Sequence, residues 1–493
     1  MGIVIKQAFK TTVFSYIGAG LGFLTVWFVY RKWLTPEQNG LINLLISISA
    51  ITGSLSNLGM TGVTLRFFPY FRNEEKGHHG FLFYPLVVTV FGYFLFAALC
   101  FIFRDEVIAR NAEKSSLFGI HIGYLLPLTF FTAMYYIFDT YSRSVYLPTA
   151  GIVIKEVLLR IGILAAAYFY HLHWYSFETF ILLYCSLTCC VGVGLAIYLI
   201  WKKVVFIRPS AGFVTPQLSK EMRSVAAFSI ITGLSSLLIT SLDKIIVNDQ
   251  IGLQAAGVFS LAAYFGTIIQ IPGRSIVRIS AAVISDSWKA GHTENIRSVY
   301  HKTCLNQMIL GLIIFLGIVT NIDNIMTLLP AEYAEGRWVI ILMSLAYLID
   351  LATGVNGVII STSKYYRYDT YFMLILMLVT AITNILLIPI MGLKGAALAA
   401  VITYSSYNFL RYLFIWKKFQ MQPYDMAFAK ILFFAILSFV AAVVIPDTGF
   451  PYINIVVRGA VTCGLFILLV YKSQLAQDFN ATLVKYVSAL LRR

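Results

Sequence analysis

Two stretches of this chain echo each other. Leu34–Leu44 reads LTPEQNGLINL, and Ile251–Leu261 reads IGLQAAGVFSL. Each follows one apolar span and opens a second, placing Gly40 and Gly257 at equivalent points. Each second span then ends in a charged loop bearing Gly and His: RNEEKGHHG at Arg72–Gly80 and WKAGHTENIR at Trp288–Arg297. A chain made of two similar apolar halves has few ways to fold. It predicts two matched helical bundles and a transporter that rocks around a central site between them.

Composition sets the solvent. The chain is 59% hydrophobic and 12% charged, with a mean hydropathy of +0.81, a balance foreign to soluble domains. A membrane-spanning helix needs about 20 apolar residues. Fourteen stretches qualify: 8–30, 41–66, 80–103, 117–139, 147–170, 177–201, 224–247, 255–281, 303–321, 337–361, 368–390, 393–416, 427–446 and 453–471. Lys6 and Lys10 precede the first, but no small-residue cleavage site follows, so it reads as a span rather than a signal peptide. The longest gap carries Pro209, Gly212 and Pro216 and reads as a linker. The expected fold class is therefore all-α and polytopic, with two pseudo-symmetric six-helix lobes plus two C-terminal helices. Residues 1–201 form the first lobe, 202–223 a cytoplasmic linker and 224–418 the second lobe. Residues 419–493 hold the two added helices and a cytoplasmic tail.

The loops on the side of the termini carry about three times as many Lys and Arg as the opposite loops, which puts both termini in the cytoplasm. The net charge of +15 is mostly this bias, and no basic folded domain calls for a nucleic-acid partner. The six cysteines lie within or at the edges of spans and read as small packing residues, not as disulfides or metal ligands. His171 and His173 form a His-x-His pair with no third ligand nearby, so neither metal nor cofactor is expected. The chain has no phosphate-binding GxxxxGK[ST], no HExxH, no nucleophile elbow and no large loop for catalysis. A transporter fits better than an enzyme.

Three landmarks carry a family resemblance. Leu34–Gly40 (LTPEQNG) resembles the L-G-P-x-x-Y-G opening of the second helix in bacterial Wzx-type polysaccharide-repeat flippases. Leu242–Phe259 (LDKIIVNDQIGLQAAGVF) resembles its second-half counterpart. Asn384–Ala397 (NILLIPIMGLKGAA) resembles the stretch joining their eleventh and twelfth helices. One departure is Asn39, which stands where that family has Tyr. The superfamily also holds MATE-type multidrug antiporters and the lipid II flippase. The resemblance implies a monomeric bacterial inner-membrane protein. It would move an undecaprenyl-pyrophosphate-linked oligosaccharide, an O-antigen, capsule or exopolysaccharide repeat, to the outer leaflet by alternating access. It also implies a polysaccharide polymerase and a chain-length regulator as partners, alongside membrane lipids. The alternative reading is a multidrug or organic-cation antiporter of the same fold.

An anionic head crossing about 30 Å of hydrocarbon needs protein partners, so charges inside spans are the candidates. Arg160 lies about 20 Å into the fifth span, with Glu156 at i−4, so an ion pair and a cavity cation both remain open. Gln270, Arg274 and Arg278 recur every fourth residue on the eighth span, around Pro272. They predict a cationic mouth for pyrophosphate, with Arg66 as a second flank, since Arg forks two hydrogen bonds onto phosphate. Snorkelling to the interface is the plainer account of both arginines of the eighth span. Asp243 and Lys244 are adjacent and cannot face each other, so each needs another partner. Lys244 joins the substrate-binding candidates. Asp350, in the middle of the tenth span, joins Asp243 and Glu156 as a coupling or interlobe group. The aromatic runs Phe67–Phe71 and Tyr365–Tyr368 read as interfacial belts.

Overall fold

The structure, a computed structural model, describes residues 14–111, 115–210, 212–476 and 479–480. Lys6 and Lys10 lie outside these. The molecule is 85% helical, with no strand among the described residues. It is an all-α polytopic protein.

Within the described residues, each of the fourteen stretches falls on a helix or on helical pieces joined by a short break. In chain order these are α1 (14–33), α2 (Pro36–Ser56), α3 (Met60–Phe71), α4 (Phe83–Ile102), α5 (Leu125–Ser144), α6 (148–171), α7 (Phe177–Trp201) and α8 (Pro216–Gln250). There follow α9 (Leu253–Ala290), α10 (Thr293–Val319), α11 (Gly336–Ala352), α12 (Asn356–Thr362), α13 (Tyr366–Met391), α14 (Leu393–Phe419), α15 (Met426–Val443) and α16 (Pro451–Ser473). By length and apolarity alone, nine helices among the described residues can cross a membrane, or ten if the bent pair α11–α12 is one span. The predicted stretches beyond these lie on α1, α6, α8 and α14: π-wound turns divide α1 and α6, and polar residues punctuate α8 and α14.

Local chemistry starts several helices. Thr35 and Gln38 cap α2 reciprocally, at 3.2 and 3.1 Å, with Pro36 in the first turn. Thr215 accepts from the Leu218 amide and Pro216 opens α8. At the hairpin between α13 and α14, a Cβ on Gly395 would sit 2.2 Å from the Leu387 carbonyl. That close turn explains the glycines in the Asn384–Ala397 motif.

Two compact units divide the chain, Met1–Gly257 and Val258–Arg493. The first includes α8, which packs along α2 and α3. Residues 224–250, assigned from sequence to the second lobe, thus make their contacts with the first unit. The repeated glycines meet there. A Cβ on Gly40 would lie 2.0 Å from the Leu253 carbonyl oxygen, and one on Gly257 would lie 1.8 Å from that of Pro36. The two helix starts therefore cross backbone to backbone. Asn39, the departure from the flippase motif, donates to the Gly257 carbonyl at 3.1 Å and is fully buried.

One expectation is corrected. Phe67, Phe68 and Phe71 are not an interfacial belt. All three are buried, and Phe68 and Phe71 meet Phe81 and Tyr141 in edge-to-face contacts of 4.8–5.6 Å. Of the aromatic residues in that run only Tyr70 is exposed, at 71%. The loop after α3 and the linker after α7 fold back over this cluster. His79 stacks on Phe213 at 3.9 Å and its carbonyl accepts from the Ser210 amide.

Candidate functional site

In the second unit a break builds the most polar site. The span α11–α12 bends by 47° at Thr353–Val355, where Gly354 takes a left-handed φ of +64°. A Cβ there would meet Cys304 at 2.7 Å, so conformation and space both demand glycine. Asp350 sits in the last turn before this break. Its Oδ1 accepts from Asn408 Nδ2 at 3.0 Å and its Oδ2 from Gln270 Nε2 at 3.2 Å. Asn408 Oδ1 in turn accepts from Thr353 Oγ1 at 2.9 Å and Asn356 Nδ2 at 3.0 Å. The Thr353 hydroxyl also donates to the Asp350 carbonyl. This is a connected network at a broken helix, the setting where carboxylates and unwound backbone hold small cations. Among the described residues no three His, Cys, Asp or Glu side chains cluster as metal ligands, so any cation here would rest on one carboxylate and neutral oxygens.

Beside it, one turn along α14 from Asn408, lies Arg411. It pairs with Asp369 and its guanidinium lies 4.0 Å over the Tyr407 ring. Gly357 makes room: a Cβ there would be 2.6 Å from Nη1. Sequence reasoning missed Arg411 and Asn408. An arginine three residues after an asparagine, late in the span 393–416, was the available signal.

In the first unit the charges inside spans are balanced, with Lys155, Arg160 and Lys244 set against Asp139, Glu156 and Asp243. Lys155 lines a cavity of about 140 Å³ together with Ser49, Thr132, Tyr135, Tyr136 and Thr188. Its Nζ lies 4.8 Å from the Tyr135 ring centroid and 5.9 Å from that of Tyr136. Asp139 pairs with Arg143 at 2.7 Å. Arg160 pairs with Glu156 at 2.6 Å and donates to the Gly18 carbonyl of α1. Gly18 permits this, since a Cβ there would press on Glu156 at 2.7 Å. Lys244 reaches Asn43 Oδ1 at 3.4 Å, and Asn43 donates to Asn39 Oδ1 at 2.8 Å. The polar line thus runs from Lys244 to the glycine crossing.

The structure therefore joins Gln270 to Asp350, and Glu156 to Arg160. Of the face expected on the eighth span, Gln270 is thus held by Asp350 and Arg274 is exposed, while the side chain of Arg278 lies outside the described residues. Arg66 is exposed and lies 5.9 Å from the Phe67 ring centroid. Asp243 is buried. Lys155, like Asn408 and Arg411, was not among the residues singled out from the sequence.

The chain matches no protein-family model and no curated protein sequence. Among solved structures it is similar to the lipid II flippase MurJ in an inward closed conformation. The TM-score is 0.72 at 13% identity, over 94% of this chain and 99% of that one. It has the fold of the MOP-superfamily transporters. An inward-facing multidrug resistance MATE family transporter of that superfamily gives 0.60 at 12% identity, over 82% and 93% of the two chains. A MOP superfamily transporter from Pyrococcus furiosus gives 0.58 at 12%, over 83% and 94%. These neighbours are transporters and flippases rather than enzymes.

Proposed function

We propose that the protein is a lipid-linked oligosaccharide flippase. It would carry an undecaprenyl-pyrophosphate-linked repeat from the cytoplasmic to the outer leaflet of a bacterial inner membrane by alternating access. The observation that carries this reading is Lys155, a cation inside a span of the first unit. Lys155 faces a cavity with hydroxyls and aromatic rings, suited to a phosphate group and a sugar face. Support also comes from the fold, which the lipid II flippase shares over nearly its whole length, and from the three sequence landmarks. On this reading Arg160, Lys244, Arg66, Gln270, Arg274 and Arg278 serve the anionic head at successive stages, with both termini cytoplasmic. A polymerase and a chain-length regulator would take the product.

A diphosphate diester carries two negative charges. Each gains about 2.3 kcal/mol per 100 mV on leaving a negative interior, so the membrane potential alone favours outward flipping. Asp350 in its amide cage would add a cation or proton as a coupling partner. The same carboxylate is what favours the second reading, organic-cation antiport. The test is deletion of the gene in its host. A flippase predicts accumulation of lipid-linked glycan facing the cytoplasm, restored by the wild-type chain. Unchanged glycan export together with increased sensitivity to cationic drugs would select the antiporter.

A further inference from the structure

A groove on the first unit borders the Lys155 cavity, with Leu159 and Val191 in the walls of both, and that reading gives it no part. It holds about 700 Å³ and runs along α6 and α7 between Leu187 and Trp201. At 1.5 Å per residue this is about 21 Å, somewhat more than half of a hydrocarbon core of about 30 Å. Its walls are aliphatic: Val153, Ile154, Leu158, Leu187 and Ile197. The stretch Val153–Leu158 is wound as a π-helix, a local widening frequent at functional sites. Gly194 forms part of the floor, and beyond its hydrogen the nearest atoms are Ile154 methyls at 3.7 and 3.9 Å.

The two ends of the groove differ. One is purely apolar. The other closes on Tyr198 and Trp201, with the Thr149 hydroxyl opposite. Lys202 follows at once, its Nζ 4.2 Å over the Trp201 ring and 5.8 Å from that of Tyr198. Lys203 comes next, in a left-handed turn with φ +56° that ends the helix. Both lysines are exposed, and neither joins an ion pair among the described residues. The chain from Lys202 to Lys220 carries Lys202, Lys203, Arg208 and Lys220 with no acidic residue. An apolar trough of roughly leaflet depth thus ends in an aromatic pair and uncompensated positive charge.

We infer that this groove is a binding site for an anionic phospholipid of the surrounding bilayer. One acyl chain lies between α6 and α7, and the headgroup phosphate sits on Lys202 and Lys203. The trough is long enough to take an acyl chain through the full depth of one leaflet of about 15 Å, and the charge at its mouth is complementary to a phosphodiester with an uncharged headgroup. Tyr198 and Trp201 mark the depth of the headgroup layer. The site is independent of what the protein transports.

Native mass spectrometry of the detergent-purified full chain tests this, titrated with phosphatidylglycerol or phosphatidylcholine of identical acyl chains. Wild type should retain phosphatidylglycerol on the order of tenfold better, the scale expected for two interfacial lysines. K202Q/K203Q should lose that preference and leave phosphatidylcholine retention unchanged, while K202R/K203R should keep it. G194F should lower retention of both lipids by filling the trough. Elution of each variant as a monodisperse peak separates lost binding from lost fold. Equal retention of the two lipids by wild type, or an unaltered preference in K202Q/K203Q, would mean ordinary boundary lipid and overturn the proposal. Displacement of phosphatidylglycerol by equimolar undecaprenyl phosphate would assign the groove to a polyprenyl carrier and overturn it equally.

Discussion

The crossing of the two repeated glycines makes a sharp prediction about Gly257→Ala. In an unobstructed helix, Gly to Ala favours the folded state by about 1 kcal/mol through backbone entropy. Here the new methyl would lie 1.8 Å from the Pro36 carbonyl oxygen and 2.9 Å from the Gly40 nitrogen. Both neighbours are backbone, so no side chain can rotate away. The helix starts must part by roughly 1.5 Å to restore ordinary contact. Parting would strain or break the Asn39–Gly257 hydrogen bond, worth about 1 kcal/mol. Overpacking of this kind costs about 1–3 kcal/mol. The two costs together exceed the helix gain, so Gly257→Ala should destabilise by about 1–3 kcal/mol. Gly464 in α16 provides the control, because a Cβ there meets nothing within 4 Å. Thermal stability in detergent, followed by loss of the monodisperse chromatographic peak on heating, should fall for Gly257→Ala and hold or rise for Gly464→Ala. Equal stability of the two variants would refute the backbone crossing. Gly40→Ala should behave like Gly257→Ala, and the double variant should cost less than the sum, since one separation relieves both clashes.

Lys155→Gln should reduce glycan export strongly at equal membrane level, read as cytoplasm-facing lipid-linked glycan, whereas a purely structural role would lower the protein level instead. In proteoliposomes with membrane potential and pH gradient imposed separately, Asp350→Asn should abolish the response to the ion gradient and keep that to the potential; identical responses to wild type would remove Asp350 from coupling. Arg411→Lys should lower thermal stability, because one ammonium cannot both pair with Asp369 and lie flat over Tyr407. In the turn before α16, the Gly449 amide and the Asn454 side chain hold the Asp447 carboxyl below its ordinary range. The folded form binds its proton less readily than the unfolded one, so the contribution is complete above the ordinary carboxylate pKa and disappears as pH falls through the depressed value. Amide-exchange protection factors at Thr448–Phe450, taken relative to the intrinsic rate at each pH, should therefore fall at low pH in wild type and be low at all pH in Asp447→Ala.

Hydropathy made the spans legible, because in lipid every backbone amide must bond within its own helix, and only long apolar runs survive there. All fourteen stretches located that way are helical where the structure describes them. Breaks were harder to read. The bend at Gly354 and the π-wound turns of α1 and α6 leave no gap in hydropathy, since a broken helix stays just as apolar. The charged pair Glu156–Arg160 was visible as an i, i+4 spacing, because both partners share one helix. Asn408 and Arg411 were not, because their partners Asp350 and Asp369 come from helices 58 and 42 residues away.

The repeat shows most clearly where the sequence stops. By itself the chain determined an all-helical membrane protein, its span positions, and that Gly40 and Gly257 open equivalent helices. It also placed Asp350, Arg160 and Lys244 inside apolar spans, where each would need a partner. Which partner each charge found was decided only by tertiary structure. Apolar periodicity constrains one helix at a time, and lipid-facing and protein-facing surfaces are equally greasy, so no hydrophobic stripe announces which face meets which neighbour. The choice falls to steric detail: two glycines without side chains let backbones touch, a left-handed glycine bends a span beside a carboxylate, and Gly357 leaves room for a guanidinium.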